Sequence, residues 1–202
     1  RIEVPTEAGE SQDTGVRRFS TLTRVRDAIA EALDGGDEPT VVVGGDCAVA
    51  VPGITAAAAR HPSLAVVWFD AHGDLHTPDS SPSGALAGMA LRAAVDAGSF
   101  VAAPPIAPGR AVLVGARALD EAEAAFLETS GATLVPASAL SDPDAVAAAV
   151  AATGADAVYV HIDLDVLDPA TITGLLAPVP FGAAPAEVIA AIARLRERMP
   201  LV

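Results

Sequence analysis

Apolar residues fall along this chain in two rhythms that take turns. Short apolar runs at Val41-Val42-Val43, Leu64–Phe69, Ala111–Gly115, Thr133–Pro136 and Val158–Ile162 predict strands, the first two of them buried, as in a parallel sheet covered on both faces. Between them, apolar positions recur at helical spacing. The clearest case is Leu22–Leu33, where Leu22, Val25, Ile29 and Leu33 share a face and Gly35-Gly36 stops the helix. Further helices are predicted at Ala48–Arg60, Gly84–Ala97, Asp120–Thr129, Asp144–Ala152 and Pro185–Arg198. Residues 1–19 are polar and lack a period, so they read as loop. Asp70–Ser83 is a long Ser/Pro/Asp-rich loop, and loops of that length in a compact domain are usually functional. A connection with Pro104-Pro105 and Pro108-Gly109 and a Pro/Gly-rich loop up to Pro180 complete the chain. Alternating strand and helix predicts one three-layer α/β/α domain over residues 1–202, with a mainly parallel sheet and helices on both faces.

Composition sharpens that picture. Hydrophobic residues make up 51% of the 202, yet aromatics only 3%, an Ala/Val palette suited to buried parallel strands and close-packed helices. No stretch has the length and apolarity of a transmembrane helix. The net charge of −14 argues against a nucleic-acid-binding surface. The single cysteine, Cys47, excludes an internal disulfide, and no targeting signal is visible, so a cytoplasmic protein is the default expectation. The chain opens on Arg1 and stops at Leu201-Val202, where a further apolar strand could begin; a portion of a longer chain is expected.

The chemistry gathers after two of the strands. Trp68-Phe69-Asp70-Ala71-His72-Gly73-Asp74 places two carboxylates and an imidazole at every second position, hence on one face of an extended backbone. Asp163-Leu164-Asp165 follows a later strand, with Asp168-Pro169 behind it. In open α/β sheets, ligands bind outside the carboxyl ends of the strands. Carboxylates crowded there must be protonated or neutralised by cations. Oxygen-rich donor sets with an occasional imidazole suit Mn, Mg or Fe(II) better than structural zinc. Four Asp and one His exceed the needs of one ion, which points to two metals about 3.5 Å apart.

The ordered series Gly44-Gly45-Asp46-Cys47, Asp70-Ala71-His72-Gly73-Asp74, Ser83-Gly84 with Gly88-Met89, and Asp163-Leu164-Asp165-Val166-Leu167-Asp168-Pro169 resembles the ureohydrolases, the family of arginase, agmatinase and formimidoylglutamase. The resemblance runs from about Val41 to Pro169. It implies an arginase/deacetylase-like fold, two Mn ions, and a bridging hydroxide that attacks a guanidinium carbon to release urea and an amine. By the same resemblance Asp70, His72, Asp74, Asp163 and Asp165 match metal ligands, Asp70 and Asp163 bridging, and Asp70, Asp74 and Asp163 stand at the reaction centre. Asp120 and Glu123 match positions that hold a substrate α-amino group, and Ser83 a carboxylate-side contact. First-turn helix acids favoured by the helix dipole are the other reading of Asp120 and Glu123. A small guanidino substrate and a homo-oligomer are implied; nucleic acid and membrane are not expected partners.

Departures from the pattern bear on function. Where the family pattern has a His ligand, this chain has Cys47, either a coordinating thiolate that favours a softer ion or a small buried thiol beside a weak site. Cysteine here is similar to the branch that hydrolyses N-hydroxyarginine to hydroxyurea and ornithine, whose substrate is less basic than a guanidine. Ala87 replaces a proton-transfer His, and His76 stands where an Asn commonly contacts substrate, so His76 reads as loop residue or substrate contact. The guanidinium-gripping Glu is expected beyond Val202. A catalytically silent relative is the alternative that Cys47 and Ala87 motivate. A haloacid-dehalogenase-like phosphatase is a third reading, on Asp163-Leu164-Asp165-Val166, but it leaves Asp70–Asp74 unexplained. Among the remaining residues, His61 reads as a helix cap, His161 as a buried hydrogen-bonded histidine, Asp168 as a turn-former, Asp46 as an orienting residue and Trp68 as core.

Overall fold

The computed structural model describes residues 1–35, 40–96 and 105–202. Gly36, Ala97 and Pro104, which enter the expected helix stop, helix end and proline pair, lie outside the described residues. In chain order the elements are α1 (Phe19–Leu33), α2 (Ala50–Arg60), β1 (Leu64–Phe69), α3 (Ala90–Val95), β2 (Ala111–Val114), α4 (Glu121–Ser130), β3 (Thr133–Val135), α5 (Ala145–Ala152), β4 (Ala157–Ile162) and α6 (Pro185–Arg198). The four strands form a parallel sheet in the order β3-β2-β1-β4.

β1 is central and every residue in it is buried, which is why it reads as an unbroken apolar run. Its side chains divide between two cores. Leu64, Val66 and Trp68 face the layer that holds α2 and α3, joined by Ile54, Leu91 and Leu113. Ala65, Val67 and Phe69 face the layer of α5 and α6, with Val112, Val146, Val150, Val188 and Leu195. Helices therefore cover both faces, giving the three-layer α/β/α arrangement. Among the described residues no helix is long and apolar enough to cross a membrane.

Three expectations are corrected. Val41-Val42-Val43 is not a strand: the segment makes no ladder, and Val41 and Val43 are exposed. A strand exists only with a partner, and Val41–Val43 instead line a cleft together with Val160 and Ile162 of the edge strand β4. The helix expected over Gly84–Ala97 is shorter, a 3-10 turn at Ala87–Met89 leading into α3. Gly84 is left-handed (φ 64°), and the hydroxyls of Ser81 and Ser83 accept from the N–H groups of Gly84 and Ala85, holding a turn where a helix would start. Finally, Asp74 does not continue the pleat of β1. It sits at φ 52°, rare for a non-glycine residue, so a left-handed turn and not strand alternation sets its side chain.

Register carries the two acidic motifs to one place. Phe69 pairs with Ile162, so Asp70 and Asp163 leave neighbouring strands at the same level, and the Asp163 N–H donates to the Phe69 carbonyl at 2.8 Å. On the other side of β1, the Asp70 N–H donates to Val114 at 3.1 Å. Pro200–Val202 runs beside the start of β4, with a parallel bridge between Val158 and Leu201.

Candidate metal centre

Asp70, 1% exposed, is the hub of the strand-end cluster. Its Oδ1 accepts from the His72 backbone at 2.7 Å and lies 3.3 Å from His72 Nδ1. Its Oδ2 accepts from Trp68 Nε1 at 3.2 Å and faces Cys47 Sγ at 3.8 Å. His72 Nδ1 also reaches Asp165 Oδ2 at 3.1 Å, while Asp165 Oδ1 accepts from the Ala71 N–H at 3.0 Å. Asp163 ties its own loop by accepting from the Asp165 N–H at 2.9 Å, and its other oxygen accepts from Cys47 Sγ at 3.2 Å. Ligand atoms of Asp70, His72 and Asp165 lie within 4.8 Å of one another, as do those of Cys47, Asp70 and His161. Together with Asp74 and Asp163, all of these line one cleft of about 740 Å³.

Cys47 reaches this cleft because Asp46 caps the turn that carries it, accepting from the Ala48 N–H at 2.9 Å. Trp68 is core, as expected, but also stacks on the His161 ring with centroids 3.6 Å apart, so one indole orients both Asp70 and His161. His161 is half-buried, and its Nε2, itself buried, has no hydrogen-bond partner, which corrects the expectation of a buried, hydrogen-bonded histidine. Asp74 Oδ2 is likewise buried and unpartnered. An unsatisfied buried polar group typically costs about 1–3 kcal/mol.

The charge states follow from the crowding. Burial pushes Asp70 and Asp74 upward, with neighbouring carboxylates adding to the effect. Burial opposes ionisation of Asp165 too, but its hydrogen bonds from His72 and Ala71 hold it below the usual range. The same bonds from Asp165 and Asp70 raise His72 to about 10. Burial lowers His161 to about 4 and drives the Cys47 thiol strongly upward, helped by Asp74, Asp70 and Asp163. A divalent cation would reverse this logic by favouring every deprotonated donor at once. The residues therefore fit a cation: two orphaned donors, a nested set of carboxylates, an imidazole and a thiol face one cleft.

The residues expected to touch substrate form a separate group. His76 Nε2 lies 3.4 Å from Asp120 Oδ2, and His76, Asp120 and Glu123 bring ligand atoms together. Glu123, only 4% exposed, accepts from the Leu75 N–H at 3.2 Å and completes a capping box with Asp120 at the start of α4. Ser83 is exposed, bonded to the Ala85 N–H, and joins neither group. Asp168 forms its turn by accepting from Ala170 and Gly182, and His61 is the C-cap of α2.

Sequence reasoning missed Arg117. Its guanidinium donates to the carbonyls of Gly115, Asp165, Val179 and Pro180 at 2.7 to 3.0 Å, pinning the Asp163–Asp168 loop and the distal Pro-rich segment to the end of β2. A lone arginine after a strand carries no pattern, and its acceptors lie up to 63 residues away.

A family model described as the arginase family matches residues 4–202. The N(omega)-hydroxy-L-arginine amidinohydrolase of Streptomyces lavendulae is 36% identical over 169 residues, covering 83% of this chain and 59% of that protein. The arginase of Bacillus caldovelox is 32% identical over 185 residues, covering 84% and 62%. The crystal structure of the Bacillus cereus arginase superposes with a TM-score of 0.84 at 30% identity, covering 94% of this chain and 72% of that one. The chain thus spans about three-fifths of the length of these two curated relatives.

Proposed function

The chain belongs to the arginase family, and on that premise we propose that it forms a single ureohydrolase-like unit of a metal-dependent enzyme that hydrolyses the C–N bond of a guanidino or N-hydroxyguanidino compound. The observation that carries this reading is the in-register exit of Asp70 and Asp163 from β1 and β4, which aims both acidic motifs into one cleft. Asp70, His72, Asp74, Asp163 and Asp165 are the proposed ligands of divalent cations, with Mn²⁺ as the family expectation and Cys47 as a further donor. When bound, such ions supply Lewis acidity and make a water acidic enough to serve as nucleophile near neutral pH.

The rest is done by the chain itself. Trp68 and the Ala71 N–H hold Asp70 and Asp165 in place, so that the donors need little rearrangement to accept a cation. Surplus negative charge in the cleft favours a cationic guanidinium at its mouth. By the family pattern Asp120 and Glu123 are the proposed contacts of the ammonium end of an amino-acid substrate and His76 a further substrate contact, although Glu123 is already committed to the cap of α4. The Streptomyces relative is named for N(omega)-hydroxy-L-arginine and the Bacillus relative as an arginase, so arginine and its N-hydroxy derivative are the first substrates to test. The test is release of urea or hydroxyurea from these compounds and from agmatine by the full-length protein with added Mn²⁺, Fe²⁺ or Zn²⁺. Product with at least one of them is expected. No product under any metal, from protein that still binds cations, would favour the silent relative that Ala87, which lines the cleft, keeps in view.

A further inference from the structure

Among the described residues, two buried polar side-chain atoms lack a hydrogen-bond partner, Asp74 Oδ2 and His161 Nε2. Both residues line the same cleft as Cys47. Asp74 is 5% exposed and lines the cleft together with Cys47. Ligand atoms of His161, Cys47 and Asp70 fall within 4.8 Å of one another. Chance orphans would be scattered through the interior; these open into one cleft with the thiol.

We propose that His161 is a metal ligand, and that His161 and Cys47 together supply the nitrogen and sulfur donors of one cation position, completed by Asp70 and Asp74. This rests on the metal-dependent reading above and adds to it a ligand that the resemblance does not include. The site recovers on β4 the imidazole that position 47 lacks. Trp68 supports the assignment physically, because its indole stacks on the His161 ring and donates to Asp70, fixing two of the four donors. A donor set of one thiolate, one imidazole and two carboxylates is softer than an all-carboxylate/imidazole set, so the position selects Zn²⁺ or Fe²⁺ over Mn²⁺. The Asp70–His72–Asp165 position remains hard, and the two positions of one cleft then differ in the ion they prefer.

X-ray absorption at the zinc edge of the full-length protein, saturated with zinc, reads the ligands without any assay of turnover. The expected spectrum contains sulfur at about 2.3 Å and nitrogen at about 2.0–2.1 Å. Cys47→Ser should remove the sulfur. His161→Gln should keep it, lose one imidazole, and weaken zinc binding roughly tenfold or more. Cys47→His should shift occupancy toward Mn²⁺. A wild-type spectrum without sulfur, or zinc affinity unchanged in His161→Gln, overturns the proposal while leaving metal-dependent hydrolysis standing. Failure of the wild-type protein to bind any divalent cation removes both. The wild-type spectrum needs no variant to fold, so it decides the sulfur question on its own.

Discussion

His72 stands between two carboxylates, 3.1 Å from Asp165 Oδ2 and 3.3 Å from Asp70 Oδ1, and that position fixes how the chain answers pH. Hydrogen bonds to Asp165 and Asp70 raise its pKa from 6.5 to about 10. The native state therefore binds an extra proton, and the stabilisation is complete below the unfolded value and lost as pH rises through about 10. His161 works in the opposite sense and in another window. Burial lowers it to about 4, so its contribution is present above 6.5 and lost as pH falls. Chelator-treated protein should consequently lose stability between about pH 7 and about pH 9.5, the interval in which the unfolded chain has given up the His72 proton and the native state still holds it. Urea midpoints at the two pH values read this, and His72→Gln should flatten the slope; a midpoint that rises across the interval contradicts the assignment. The same proton must leave when a cation takes the imidazole, so calorimetric titration with Mn²⁺ near neutral pH should show proton release that depends on buffer ionisation enthalpy.

At the scale of elements, α4 illustrates how one acidic pair can serve structure and recognition together. Asp120 caps the helix and Glu123 answers at N3, with Oε2 3.3 Å from the Asp120 N–H, while Glu123 Oε1 packs where a Cβ on Gly73 would come within 2.7 Å. The cap and the substrate role separate by substitution. Asp120→Ala should cost about 1 kcal/mol in urea unfolding, whereas Asp120→Asn, an equally good cap, should leave the midpoint in place. If Asp120 also grips a substrate ammonium, Asp120→Asn should raise KM roughly tenfold or more at unchanged stability; an unchanged KM confines the residue to its cap. Arg117→Met is the matching test on the loops. It strips four carbonyls of a charged donor and should destabilise by about 2–4 kcal/mol, read as a shift in the urea midpoint. The buried run Leu64–Phe69, the apolar run Val158–Ile162 and the helix Pro185–Arg198 were legible in sequence because each carries its own pattern and its own stops. Val41–Val43 was not, because β propensity says nothing about whether a neighbouring strand is there to pair with. Gly84–Ala97 was misjudged for a different reason, hydroxyl-to-backbone bonds that outcompete the first helical turn.

Across the whole molecule, the strand order sets the function of residues that lie far apart in sequence. Asp70 and Asp163 meet only because β4 pairs with β1, a choice that no local pattern dictates, and the acidic clusters were legible as one site through motif resemblance and through the rule that open sheets bind at strand ends. His161 and Trp68 were not legible, since the stack and the orphaned nitrogen appear only once the two strands are side by side. That assembly carries an electrostatic cost in a chain of net charge −14, which bound cations would relieve on the function proposed above. Ligand at about a hundredfold over its Kd stabilises a protein by about 2.7 kcal/mol. At about 2–4 °C per kcal/mol for a chain of this size, saturation should raise Tm by about 5–10 °C, and chelation should reverse the gain. A purely structural acidic cluster would respond to charge removal in only one direction, so Asp70→Asn separates the two cases. Burial and its acidic neighbours already push the Asp70 carboxyl toward the neutral form, and an amide in its place should leave chelated protein at least as stable as wild type. The same substitution should abolish most of the metal-induced rise in Tm, because the hub shared by both candidate cation positions is gone. Calorimetric scans of the two proteins with and without Mn²⁺ or Zn²⁺ measure both effects. A variant that loses stability in chelator, or keeps the full metal-induced rise, would show that the carboxylates around Asp70 are held by the protein for reasons other than cations.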